Sequence, residues 1–237
     1  MRTILTWLLV VMFMLVPGSS LSSYAKTIDT NVVGYTYMAN ELREHSVTME
    51  AYSAKAGRWY RIGSGTLVEV GKNPNILTAW HVAEYAVEYP MRACPVLAEK
   101  NKCVYVVYPW ASEMDNIGYT GDWALFQIVK APDGMKPAKM RKRRASVGES
   151  IYTLTSPSVS EGLMGSGVLS KYDGTPGNYL YMTDAFVFYG SSGGGVYDAN
   201  GQLIGIVVAV RVYDEQPIPH VNFAVPVTRV LNYLNNK

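Results

Sequence analysis

Three side chains in this sequence could together break an acyl bond. Ser192 stands in the run Tyr189-Gly190-Ser191-Ser192-Gly193-Gly194-Gly195. A serine hydroxyl is a weak nucleophile. It attacks a carbonyl only when a base takes its proton and donors stabilise the oxyanion. Flanking glycines let the backbone turn sharply and aim N–H groups into one small space. A Gly/Ser run is also what an ordinary loop looks like, so its weight comes from two segments upstream. His81 ends the apolar, β-prone stretch Leu77-Thr78-Ala79-Trp80. The chain has 3 histidines. His45 lies in the polar, helix-like run Glu41–His45, and His220 lies in the loop Gln216-Pro217-Ile218-Pro219-His220, so only His81 closes a strand-like segment. Asp122 heads the apolar run Trp123–Ile128. An acid there is costly to bury unpaired, and an imidazole N–H would serve it. Asp115 competes, but no apolar strand follows it. The plainer alternatives are a histidine satisfied by a backbone carbonyl and an aspartate that shapes a turn.

The chain order is His81, Asp122, Ser192, at intervals of 41 and 70 residues. That is the order of the chymotrypsin arrangement and differs from the subtilisin and α/β-hydrolase orders. Other segments agree with it. Gly63-Ser64-Gly65 opens the strand before the histidine. Thr183-Asp184-Ala185 precedes the serine run, and Gly201-Gln202-Leu203-Ile204-Gly205-Ile206 follows it. Ser166-Gly167-Val168-Leu169-Ser170 and Asn222-Phe223-Ala224-Val225-Pro226 complete the set. On these motifs the sequence resembles the trypsin-like serine peptidases, and within them the HtrA/Deg-type protease domain, over roughly residues 46–236.

The resemblance implies an all-β fold: two six-stranded antiparallel β-barrels of the chymotrypsin type with a short C-terminal helix. It implies peptide-bond hydrolysis through an acyl-enzyme on Ser192. His81 would act as base and then acid, and Asp122 would orient the imidazole. Backbone N–H groups of Gly190 and Ser192 would form the oxyanion hole, with no metal or organic cofactor. The sequence departs from the family at three places. Ser191 stands for the usual Asn or Asp, Gly195 for the usual proline, and Trp80 is bulky for the position before the histidine. The first two bear on the oxyanion loop. No PDZ-like segment follows in this sequence, so regulation through one is not expected.

Specificity is read from Phe186, six positions before the nucleophile, where trypsin-type enzymes carry an acid for Lys or Arg. With Phe188 it suggests an apolar pocket and a small or aliphatic P1 residue, although either ring could instead pack in the barrel. A glutamyl-endopeptidase-like preference is the alternative, with Thr183 and His220 as candidates. A non-catalytic secreted binding module on the same fold is the other.

The elements that must position these groups follow from pattern. Tyr and Val are abundant and long amphipathic helices few, which favours β. Val47–Ser53 and Arg58–Val70 read as paired strands, and residues 81–85 as a short helical turn. The first barrel spans about 46–130, a linker 131–147 and the second barrel about 148–225. The second barrel's strands are Ile151–Thr155, Gly165–Ser170, Tyr179–Thr183, Gly194–Tyr197 and Leu203–Val212. Asp198-Ala199-Asn200-Gly201 reads as a hairpin turn, and Val227–Asn235 as the closing helix. The linker carries the basic run Lys139–Arg144. It reads as solvated linker, with an anionic-membrane or nucleic-acid patch and a processing site as alternatives. The net charge is only +2, so no nucleic-acid partner is expected.

Residues 1–25 read as a secretory signal peptide: Arg2, an apolar run of 13 residues from Ile4 to Val16, then Pro17-Gly18, with cleavage after Ala25. The run is short of the roughly 20 residues that span a bilayer, so no stable membrane span is expected after cleavage. Residues 26–45 form a polar lead-in. Export to the periplasm or outside the cell places Cys94 and Cys103 in an oxidising compartment, and a disulfide between them is expected. Protein or peptide substrates are the expected partners. Oligomeric state has no reading in the sequence.

Overall fold

The computed structural model describes residues 36–96, 102–113 and 119–236. The expected signal peptide, its cleavage after Ala25 and the lead-in over 26–35 lie outside the described residues. The first strands are β1 (Ser46–Ser53), β2 (Arg58–Val70), β3 (Asn73–Thr78), β4 (Met91–Pro95), β5 (Val104–Val106), β6 (Ala111–Glu113) and β7 (Trp123–Gln127). They form one sheet in the order β5-β4-β1-β2-β3-β7-β6. Then come β8 (Ser150–Thr155), β9 (Leu163–Thr175), β10 (Asn178–Thr183), β11 (Gly195–Asp198), β12 (Leu203–Tyr213) and β13 (Gln216–Pro226), which close into a six-stranded barrel. Helices are α1 (residues 36–43), α2 (Trp80–Ala83) and α3 (Val227–Asn235). None is long and apolar enough to cross a membrane.

The second half is the expected barrel. The first is a seven-stranded sheet whose two edge strands, β5 and β6, are three residues each. Pro109, between them, cannot donate to a ladder. The pairings follow the apolar pattern: β3 runs antiparallel to β7, with Thr78 opposite Ala124. This register sets the residues just after β3 beside those just before β7. Trp123 to Phe126 are buried on both faces. One partner is Tyr233 of α3, whose ring meets Trp123 edge-on at 5.1 Å. The terminal helix of the second half thus packs on the strand that follows Asp122.

The expected disulfide joins Cys94, in β4, to Cys103, just before β5. The linker departs from expectation. It is woven into both halves: Ala138 pairs with Val68 and Met140 with Leu203. Arg141 is buried, not solvated. Its guanidinium pairs with Glu149 and, at 3.0 Å, with Asp198, and donates to the Arg144 carbonyl at 3.2 Å. Arg144 lies over the Tyr172 ring at 4.5 Å. Of the run's cations only Arg141 is therefore consumed inside the fold; Lys139, Lys142, Arg143 and Arg144 are exposed, as expected of a solvated linker.

Candidate active site

His81 sits in α2, immediately after β3, where Ala79 is still extended. Asp122 lies between a 3₁₀ turn (Tyr119–Gly121) and β7. The β3–β7 register brings the two together. Asp122 accepts twice: its Oδ1 takes the His81 backbone N–H at 3.0 Å, and its Oδ2 meets His81 Nδ1 at 2.7 Å. An ionised carboxylate only accepts, so Nδ1 carries the proton and Nε2 is left as an acceptor. The Asp122 side chain is 9% exposed and that of His81 40%, so the pair is anchored at one end and open at the other.

Ser192 comes from the barrel. Its loop is stitched to both halves by backbone bonds. The Ser192 carbonyl accepts from Ser64 N–H at 2.8 Å, and Gly193 N–H donates to Val207 at 2.7 Å. Gly193 has φ +84°, and a Cβ there would fall on the Thr78 hydroxyl and the Ser64 carbonyl. Only glycine lets the barrel's serine loop lie this close to the strands that lead to His81. The departures at 191 and 195 have local explanations. Ser191 is buried, and its hydroxyl donates to Thr155 Oγ1 at 3.1 Å while accepting Phe188 N–H at 3.0 Å. Neutral hydrogen bonds therefore hold the turn. At 195 a side chain would run into the Tyr197 ring, which fills that space.

Ser192 and His81 line one cleft of about 410 Å³, together with Phe188, Tyr189, Gly190 and a wall formed by Val207–Val210 and Val212. Among the described residues no hydrogen bond joins the Ser192 hydroxyl to His81; this bond is often loose before substrate arrives. The Gly190 and Ser192 N–H groups have no acceptor among the described residues. They are two donors left over beside the serine, which is what an oxyanion site requires. A larger hollow of about 480 Å³ lies between β10 and α3 and contains none of these groups.

The pocket expectation is corrected in part. Phe188 lines the cleft, but Phe186 does not and is 50% exposed. The chain turns between Phe188 and Ser191. Only its last residues reach the cleft, while the Phe186 carbonyl is held by Thr153 on β8. The glutamyl candidates also lie elsewhere. Thr183 is buried and accepts the Ala185 N–H, and His220 donates from Nδ1 to the Asp184 carbonyl. Sequence reasoning missed the valine wall. Its signal was present, since Leu203–Val212 is an unusually long apolar strand, but nothing local says which part faces the serine. It also missed Ser64, whose hydroxyl donates to the Gly190 carbonyl at 2.8 Å.

Many solved structures share this fold, and two serve for comparison. The HtrA-type protease AlgW with a decapeptide superposes with a TM-score of 0.63 at 16% identity, over 85% of this chain and 66% of that one. AlgW with a tripeptide gives 0.63 at 17% identity, over 85% and 62%. This chain thus spans slightly less than two thirds of those proteins. No curated protein matches in sequence. The model of the trypsin-like peptidase domain matches residues 63–206, a span that contains His81, Asp122 and Ser192 and more than half of the sequence, and the chain belongs to that family.

Proposed function

We propose that the protein is an exported serine endopeptidase that cleaves through an acyl-enzyme on Ser192 and prefers a small or aliphatic residue at P1. The observation that carries this reading is the 2.7 Å contact between His81 and Asp122 at the mouth of the cleft that Ser192 lines. Ser192 Oγ attacks the scissile carbonyl as His81 Nε2 takes its proton. Asp122 keeps the proton on Nδ1 and stabilises the imidazolium. The Gly190 and Ser192 N–H groups receive the oxyanion. The imidazolium then protonates the leaving amine. Water, deprotonated by the same histidine, attacks the acyl-enzyme and frees the serine.

The P1 preference rests on the wall of valines and Ala209; among the described residues that line the cleft there is no Asp, Glu, Lys or Arg. The bound peptides of the two AlgW structures support a peptide substrate. Export rests on the apolar start of the sequence and is in keeping with the Cys94–Cys103 bridge.

The test is labelling of protein beginning at Lys26 with a fluorophosphonate, followed by mass mapping and a peptide-library digest. We expect an adduct on Ser192, lost in Ser192→Ala and in His81→Ala, and cleavage after Ala, Val or Leu. Folded protein that takes no label would favour a binding module. Cleavage after Glu would favour the glutamyl reading.

A further inference from the structure

The backbone beside Ser192 is held by a chain of contacts that begins in the other half of the molecule. The Tyr189 carbonyl accepts two bonds from Ser158, one from its N–H at 2.9 Å and one from its hydroxyl at 3.1 Å. Carbonyl and N–H of a trans peptide point in opposite directions. Anchoring the Tyr189 carbonyl on Ser158 therefore turns the Gly190 N–H to the opposite side. Gly190 borders the cleft, and its N–H has no acceptor among the described residues. The next peptide is pinned as well. The Gly190 carbonyl takes the Ser64 hydroxyl, which in turn accepts the Ser156 N–H at 2.8 Å.

Ser158 is not self-supporting. It lies in the loop between β8 and β9, and that loop is gripped by Arg61 of β2. Arg61 donates to the Pro157 carbonyl at 3.1 Å and the Ser158 carbonyl at 3.4 Å, and pairs with Glu161 at 2.6 Å. One planar, forked cation can serve two carbonyls and a carboxylate together; a lysine ammonium cannot match that geometry. Arg61 does not line the cleft.

We infer that Arg61 is a positioning residue for the oxyanion site: it holds Ser158 against the Tyr189 carbonyl and so keeps the Gly190 N–H turned toward the cleft. This rests on Ser192 being the nucleophile. It couples the docking of the two halves to the chemistry. A loop that loosens at the junction lets the Tyr189–Gly190 peptide rotate, although every group that touches substrate is still present.

The experiment compares Arg61→Ala and Arg61→Lys with the parent protein on a cleaved peptide. Active-site concentration is fixed by fluorophosphonate titration, and peptide Kd is measured in the Ser192→Ala background. Loss of one oxyanion donor typically costs ~100–1000-fold, so a donor that is misaimed rather than removed should lower kcat by ~10–100-fold. KM and Kd should stay within about twofold, with a partial return in Arg61→Lys. A smaller fall, ~3–10-fold and again in kcat alone, is expected for Glu161→Gln and Ser158→Ala, which keep the backbone bonds and serve if Arg61→Ala does not fold. Unchanged kcat per titrated site, or a loss confined to Kd or to folded fraction, overturns the inference while leaving the peptidase reading intact. A parent protein that takes no fluorophosphonate overturns both.

Discussion

Two buried carboxylates, Asp198 and Asp122, each face a basic side chain, and their surroundings differ in one respect. Asp198 is 3% exposed and faces Arg141, which is 4% exposed and also pairs with Glu149. The spare Asp198 oxygen takes the N–H groups of Asn200 and Gln202. Glu149 takes the Ser146 N–H. The acceptors of this cluster are turned inward and used. Asp122 is similarly buried and accepts twice, but its partner ring is 40% exposed and keeps its second nitrogen open to the cleft. One cluster spends its charges on holding the linker to the barrel. The other anchors an imidazole at one edge and leaves its other edge open to the cleft. Burial of an acid beside a basic side chain thus does not mark a candidate reactive site; an uncommitted atom on the partner does.

The comparison is broken most sharply at Asp122. Asp122→Asn keeps the shape and favours the wrong histidine tautomer. We expect kcat to fall about 10⁴-fold, with little change in the unfolding midpoint, as read by peptide hydrolysis and calorimetry. A loss of stability equal to the loss of rate would place Asp122 with Asp198. Arg141→Met should do the reverse. Removing one partner strands buried carboxylates and costs about 3–5 kcal/mol, measurable by urea unfolding, while kcat per titrated site is unchanged.

Acid sharpens the contrast. The hydrogen bond from Arg141 is the main cause that holds the Glu149 carboxyl below its usual value of 4.5. A lowered acid contributes stability that is complete above the unfolded-state value and is lost as pH falls through the lowered one. Unfolding midpoints should therefore drop below about pH 4.5, and that part of the drop should vanish in Arg141→Met. The smallest effect lies at the alkaline end. Burial pushes the Tyr181 and Tyr197 hydroxyls up to about 12. Raised groups give stability that is complete below the ordinary value of 10.0 and is lost as pH rises toward the raised one. Tyrosine absorbance should show late ionisation coupled to unfolding between these limits, and Tyr181→Phe should weaken it.

Much of this was legible in the sequence because the signals are local. The glycines around Ser192, the strand before His81 and the apolar run after Asp122 each report a short stretch of backbone. The α3 boundaries, Val227–Asn235, follow from the proline before them and the apolar spacing within. The valine wall and Phe186 were not legible. Leu203–Tyr213 forms one continuous strand, and which segment faces the serine is set by its pairing with the Gly193-Gly194 loop. Arg141 was misread because a run of basic residues looks the same on the surface as inside a fold that supplies Glu149 and Asp198.

The sequence by itself determined the three candidate residues, their order and the predominance of β-strands, since residue type and local pattern are short-range properties. Only the tertiary structure decided which groups were left open. Arg61 meets its loop across 96 to 100 residues and Asp122 meets His81 across 41. Contacts at such separations form where two packed surfaces happen to face, and side-chain chemistry alone does not say which surfaces those are.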